Sequence, residues 1–353
     1  VALPFSEARL PALLALANGV PVAGAIEAHV TSTGCHAADR FELRVASSAD
    51  PMMGLAFWAD AASVQMNIRF SGGTGFQSAI VGNADTITLD PLAGTVCIGG
   101  RDLSAGLIES PTQETFANRT SSEIAAILAV RHGLGAVVQP TTTMVGRYWE
   151  LEHDHITLNQ FSRTTTEWDL LVGLAEREGF DVWVAGQTLF FQPPSAEVLP
   201  GATISPVATP GGPANVTRLR LERALTLARP LNVSVKSWNS RMAQGFVQTA
   251  SVGGSAGGTA AQYSFVLPNL TPDVAMQIAQ QRLQELVRHE RVVSAEMPGE
   301  MVISAHGPVA LVGTGTAFDQ TYWVDEIVRS IDVRQGFRQM LRARNASSGT
   351  AVL

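Results

Sequence analysis

The sequence predicts an α+β chain that is mainly β: a β region, an α/β region, and a second β region carrying an inserted helix. Three observations lead there. Short runs of alternating apolar and polar residues fill residues 1 to about 110 and return after residue 215. Between them, residues 164–194 read as a capped helix, a glycine stop and a two-strand hairpin. The 32 glycines and 18 prolines supply the turns that many short strands require.

The first region opens on a hairpin, with Leu13 to Ala17, an Asn18-Gly19 turn, and a return through Val20 to Val30. Phe41, Leu43 and Val45 alternate with Glu42 and Arg44, and Val64, Met66 and Ile68 alternate with Gln65, Asn67 and Arg69. Ile87 to Leu89 and Thr95 to Ile98 add short strands. Strands at this spacing favour a barrel or a sandwich.

Composition changes after Gly99-Gly100-Arg101-Asp102. Thr120 and Glu123 have capping-box spacing, Ile124, Ile127 and Leu128 form an apolar stripe, and Gly133 stops the helix. Thr164 and Glu167 repeat that spacing ahead of Trp168, Leu171, Val172 and Ala175, with Gly179 as the stop. Phe180, Val182 and Val184 then alternate with Asp181 and Trp183. Ala185-Gly186-Gln187 turns the chain, Leu189 and Phe191 return it, and Pro193-Pro194 end the sheet.

The second β region holds Val216 to Leu221 and Leu231 to Trp238, with a Gly/Ala/Ser-rich loop from Ser251 to Ala261. Thr271-Pro272-Asp273 starts a helix whose stripe is Met276, Ala279, Leu283, Leu286 and Val287. Val309 to Val312 and Tyr322 to Val333 read as late strands, and Asn345 to Leu353 as a tail. The expected domains are 1–110, a first β domain; 111–203, an α/β domain; 204–345, a second β domain with a loop and helix inserted at about 242–295; and the tail 346–353.

At 353 residues, two to four domains are expected. A net charge of −7 excludes a general nucleic-acid binder, although arginines occur throughout. Cys35 and Cys97 could pair, but two buried free thiols are the favoured reading. No apolar run reaches the roughly 18 residues of a membrane span, and Val1-Ala2-Leu3-Pro4 lacks the features of a secretory signal. A chain made in the cytoplasm and kept soluble there, without stable membrane insertion, is the expectation.

Candidate chemistry is sparse. Glu150 to His155 is the best metal candidate, with His153 and His155 as its imidazoles, yet it reads first as a solvated polar strand or turn. There is no nucleophile elbow and no phosphate loop with Gly-Lys-Ser/Thr, and His289-Glu290 lacks the second histidine of a zinc-protease helix. Gly313 to Ala317 reads as a strand-to-strand turn. Asp325 and Glu326 beside Tyr322 and Trp323 could line a sugar groove, but an ordinary strand is favoured. Arg282 and Arg288 on the helix, and Arg334, Arg338, Arg342 and Arg344 near the end, suit protein partners better than phosphate. No catalytic residue, cofactor or metal is assigned.

Four segments carry a resemblance. They are Gly100-Arg101-Asp102-Leu103-Ser104-Ala105; Ser121 to Ala125 through Arg131-His132-Gly133-Leu134; Trp168-Asp169-Leu170-Leu171 through Gly186 to Phe191; and Val235-Lys236-Ser237-Trp238-Asn239. In this order and spacing the chain resembles the late control protein D family of tailed phages, the baseplate hubs of contractile tails. The same fold forms the hub half of type VI secretion spike proteins. The resemblance implies two tube-like β-barrels with α/β insertions, and a homotrimer whose six barrels make a pseudo-sixfold ring. Such a hub joins a sixfold tail tube to a threefold spike. Its implied partners are the tube protein above, a separate spike protein below, other baseplate proteins, and DNA in passage. A threefold assembly of so acidic a chain would not hold DNA tightly. The implied place is the virion, and no catalytic residues are carried over. Trp168, Trp183, Phe190, Phe191 and Trp238 become candidates for core or subunit interface. The alternatives are a tail-associated cell-wall hydrolase and a carbohydrate-binding tail-tip protein.

Overall fold

The computed structural model describes residues 10–34, 36–48, 52–72, 75–112, 114, 116, 118–142, 144–145, 166–194, 200–208, 214–239, 244–254, 258–267 and 270–345. These form a mainly β, α+β architecture in two compact units. Unit 1 takes residues 1–195, 298–305 and 326–340. Unit 2 takes 196–297, 306–325 and 341–353.

Unit 1 opens with β1 (Ala12–Ala17) and β2 (Val20–Pro21), joined by Asn18 and Gly19, both at positive φ as a tight hairpin turn needs. The expected return strand to Val30 is broken. Pro21 and the left-handed Gly24 end β2, and Ala25–Thr33 forms a separate β3 that pairs with β4 (Arg40–Ala46) rather than with β1. A six-residue helix, α1 (Leu55–Asp60), interrupts the region read as all β. It has no side-chain cap, and buried Trp58 anchors it by donating to the Met53 carbonyl at 2.9 Å. β5 (Gln65–Ser71), β6 (Gln77–Asp90) and β7 (Thr95–Asp102) follow; β6 is one 14-residue strand, not a short one. Phe41, Leu43 and Val45 of β4, with Met66, Ile68 and Phe70 of β5, fill the core.

The α/β part contains α2 (Ser104–Glu109), β8 (Arg119–Thr120), α3 (Ser121–Arg131), β9 (Gly135–Val138), β10 (Met144–Val145), α4 (Glu167–Glu178), β11 (Asp181–Ala185) and β12 (Thr188–Gln192). Unit 2 contains β13 (Thr203–Ile204), β14 (Arg218–Arg223), β15 (Leu231–Asn239), β16 (Gln244–Val252), β17 (Ala261–Val266), α5 (Pro272–Arg288), β18 (Arg291–Pro298) and β19 (Pro308–Leu311). Two last strands, β20 (Thr321–Asp332) and β21 (Gly336–Asn345), each divide between the units.

In unit 1 the strand order is β20-β3-β4-β7-β6-β5-β1-β2, with antiparallel pairings. The path ends at β2, and no pairing among the described residues closes it into a barrel. In unit 2 the order is β14-β18-β21-β20-β19-β13. A separate sheet β16-β15-β17 covers one face of α5. Its strand β15 buries Leu231, Val233 and Val235 as the alternation predicts, and the helix answers with Ala275, Ala279, Leu283 and Val287. Thr271 caps α5 by accepting from the Val274 amide, with Pro272 in the first turn.

Candidate assembly surfaces

The α/β part of unit 1 is built on two capped helices. α3 has the expected capping box: Thr120 accepts from the Glu123 amide at 3.3 Å, and the Glu123 carboxylate accepts from the Thr120 amide at 3.0 Å. On α4 the cap is Thr166, which accepts from the Asp169 amide at 3.1 Å. That corrects the expected Thr164–Glu167 pair, and Thr164 lies outside the described residues. Glu167 is instead buried beneath the end of α3. It accepts from His132 Nε2 at 2.6 Å and from Arg131, which also reaches Glu114. Bases at the C-terminus of α3 and an acid at the start of α4 complement both helix dipoles.

The sheet β11-β12-β9 packs Val182, Val184, Leu189 and Phe191 onto these helices. β12 runs parallel to β9 and antiparallel to β11. The opposite face holds Trp183 and Phe190 directly across from each other, their rings nearly parallel and stacked with centroids 4.9 Å apart. Val137 continues this row on β9. The five aromatic candidates therefore separate. Trp168 and Phe191 are core, and Trp168 Nε1 donates to the His36 carbonyl at 2.9 Å. Trp183 and Phe190 form a half-buried stack on the outer face. Trp238 is 57% exposed.

Trp238 belongs to the outer face of β16-β15-β17. Its indole lies over Gly245 of β16, where a Cβ would come within 3.1 Å of the ring. Lys236, the chain's sole lysine, stands between Val247 and Val266 in one cross-strand row, and both valines are exposed. None of the three strands contains an acidic residue. By contrast, strand β14 carries four charges in six residues.

The other sequence candidates disperse. Tyr322 lines no groove: it is fully buried and donates to the Phe318 carbonyl at 2.9 Å, and burial pushes its phenol up to about 12. Asp325 pairs with Arg344 at 2.7 Å. Arg282 pairs with Glu285 and sits over Phe265, while Arg338 donates to Ser330. Asp319 fills the Gly313 to Ala317 turn, accepting from the Thr314 and Gly315 amides. His153, His155 and Cys35 lie outside the described residues, and Cys97 is a free thiol that is half-buried rather than buried as expected. Among the described residues no three His, Cys, Asp or Glu side chains gather as metal ligands, and no helix is long and apolar enough to cross a membrane.

One group had no signal in the sequence. Asp39, Asp102 and Arg329 come from three distant segments of unit 1 and meet near the end of β7. Burial is the main cause that pushes Asp39 up to about 7, Asp102 up to about 6 and Arg329 down to about 10.

No protein-family model matches the sequence, and no curated protein does. Solved structures do. A tail protein from Neisseria meningitidis MC58 superposes with a TM-score of 0.72 at 14% identity, covering 95% of this chain and 96% of that one. The 43 kDa tail protein of prophage MuSo2 from Shewanella oneidensis gives 0.69 at 16% identity, covering 96% and 98%. An E. coli component of the type VI secretion system, itself similar to the T4 tail proteins gp27 and gp5, gives 0.55 at 9%, covering 93% and 76%. The chain has the fold of these tail and secretion-system proteins.

Proposed function

We propose that this chain is a structural protein of a phage tail or a related contractile injection particle, and that it works as the baseplate hub. The observation that carries the reading is end-to-end likeness. Nearly the whole of this chain is matched by nearly the whole of two tail proteins, one of them from a prophage. In this reading three copies close into a ring by heterologous contacts. One face of the ring meets the tail tube and the other meets a separate spike protein, and DNA or effectors pass through its channel. The work is binding, so exposed strand faces matter more than any cleft. The Trp183–Phe190–Val137 row and the acid-free face around Lys236 and Trp238 are the surfaces best suited to partner contact.

Native mass measurement with particle imaging of the purified chain tests this. A trimeric ring with a central hole is expected. A monomer that cleaves peptidoglycan would overturn the hub and favour a tail-associated hydrolase.

A further inference from the structure

Charge is divided unevenly between the two units. Unit 1 holds 13 Lys and Arg against 23 Asp and Glu, and unit 2 holds 11 against 8. A net charge of −10 therefore belongs to one and +3 to the other, which together give the chain's −7. Each unit also leaves a long strand edge open. β14 lies at the end of the unit 2 sheet and pairs only with β18. In unit 1, β6 pairs with β5 through residues 77–83 and with β7 through residues 82–90. Among the described residues no strand covers the other side of residues 85–90. An open edge is a template for a further strand.

The two edges match in pattern and in charge. On β14, Arg218, Arg220 and Glu222 are exposed, while Leu219 and Leu221 are half-buried. On β6, Thr86, Thr88 and Asp90 are exposed, while Ile87 and Leu89 are half-buried against the unit 1 core. Aligning Leu219 with Leu89 and Leu221 with Ile87, antiparallel, sets Arg218 opposite Asp90, Arg220 opposite Thr88 and Glu222 opposite Thr86. A parallel alignment of the same apolar residues would set Glu222 opposite Asp90, and like charges directly opposite are destabilising. Asp90 is fixed in place: its Oδ1 accepts from the Leu92 and Ala93 amides at 3.1 and 2.9 Å, which leaves Oδ2 to face a guanidinium. The arginines are available at little cost. Arg218 lies 3.7 Å from Glu296 and Arg220 2.7 Å from Glu222, with side chains 82% and 75% exposed, and such surface pairs contribute little.

We propose that β14 of one copy adds, antiparallel, to residues 85–90 of β6 in a second copy, joining copies head to tail. Charges on an edge ordinarily guard it against pairing. Here they select the partner: two β14 edges, each with Arg218 and Arg220, repel one another, while the edge bearing Asp90 admits one. Two different surfaces meet, so the contact propagates from copy to copy, as the heterologous closure of a ring requires. The proposal rests on the ring of the hub reading, and its test reads strand pairing separately from ring formation.

Native mass measurement and sedimentation of the full chain test it, comparing wild type with Thr88→Arg, whose new cation would face Arg220. Position 88 is exposed, so the variant should fold. Thr88→Arg should weaken association about fivefold per contact, and adding Arg220→Glu should restore it. Hydrogen exchange is the second readout: the amides of residues 85–90 and 218–223 should gain protection together as concentration rises. An assembly untouched by Thr88→Arg, or edges that exchange freely within it, overturns the pairing and leaves the ring. A wild type that stays monomeric overturns both. Protection of either edge at every concentration also overturns the pairing, because the chain would then cover that edge itself.

Discussion

Gly100 lies in β7 between β4 and β6, opposite Phe41 on one side and Ala84 on the other. The Phe41 ring folds over it. A Cβ at Gly100 would stand 2.5 Å from Phe41 Cζ and 2.7 Å from Cε1, and nearer still to the Asn83 carbonyl oxygen. The ring can tilt, but the carbonyl belongs to a paired strand at a β-bulge. Gly100→Ala should therefore behave as overpacking, costing about 1–3 kcal/mol. The stiffer unfolded chain returns about 0.4–1 kcal/mol of that. With a urea slope of about 3 kcal/mol/M, a net loss of 1–2 kcal/mol lowers the unfolding midpoint by about 0.3–0.7 M. Adding Phe41→Leu removes the ring from the clash and leaves the carbonyl. The double variant should thus be less unstable than the sum of the singles, by about 1 kcal/mol of coupling. Urea curves followed by circular dichroism measure both quantities. An unchanged Gly100→Ala midpoint, or strict additivity with Phe41→Leu, would refute the crowding argument.

Four further outcomes are expected. Thr166→Ala should cost about 1 kcal/mol by uncapping α4, and Thr120→Ala a similar amount on α3, both measurable by urea titration. Glu167→Gln should lose about 1.5–3 kcal/mol, because a buried acceptor of two charge-assisted bonds becomes neutral; a smaller effect would mean that solvent already screens Arg131. Gly186→Ala should cost about 1 kcal/mol through its positive φ alone, since no atom lies near the added methyl. Asp102 has a folded-state value raised by burial to about 6, so the folded chain binds its proton more tightly than the unfolded chain. Its contribution is fully present below about pH 4 and is lost as pH rises through about 6, by at most about 1.4 kcal/mol per pH unit. Thermal midpoints of wild type and Asp102→Asn between pH 4 and pH 7 should therefore converge at the acid end for this term.

Helix ends and half-buried strands were legible wherever the signal is local. Thr120 and Glu123 sit three residues apart and make the box they suggest; Gly133 and Gly179 take the left-handed conformation that stops helices. On α4 three consecutive threonines offer the same hydroxyl, so spacing alone did not choose Thr166 over Thr164. α1 was missed because six residues without a cap carry little period, and its fixing contact is one indole on a carbonyl. β21 escaped because its buried face mixes Phe337, Leu341 and Ala343 with Gln339 and Asn345, while the arginines on its other face resembled a charge cluster. Asn345 packs against Gln320 with a 3.0 Å bond, which no local pattern announces. The Asp39–Asp102–Arg329 group is non-local in the same way. The core role of Phe191 and the outward stack of Trp183 on Phe190 follow from the two-residue period of β11 and β12.

The division of β20 and β21 between the two units bears on how the chain is made. Unit 1 is discontinuous in sequence: its first 195 residues are complete long before residues 326–340 exist. At about 5–20 residues per second, synthesis leaves β3 waiting roughly 15–60 s for its β20 partner. During that interval a nine-residue strand edge, Ala25–Thr33, is open to whatever it meets on or near the ribosome. Expression of residues 1–195 alone would make that interval permanent. In a nascent chain of this design, that edge stays unpaired on its β20 side until the last strands emerge.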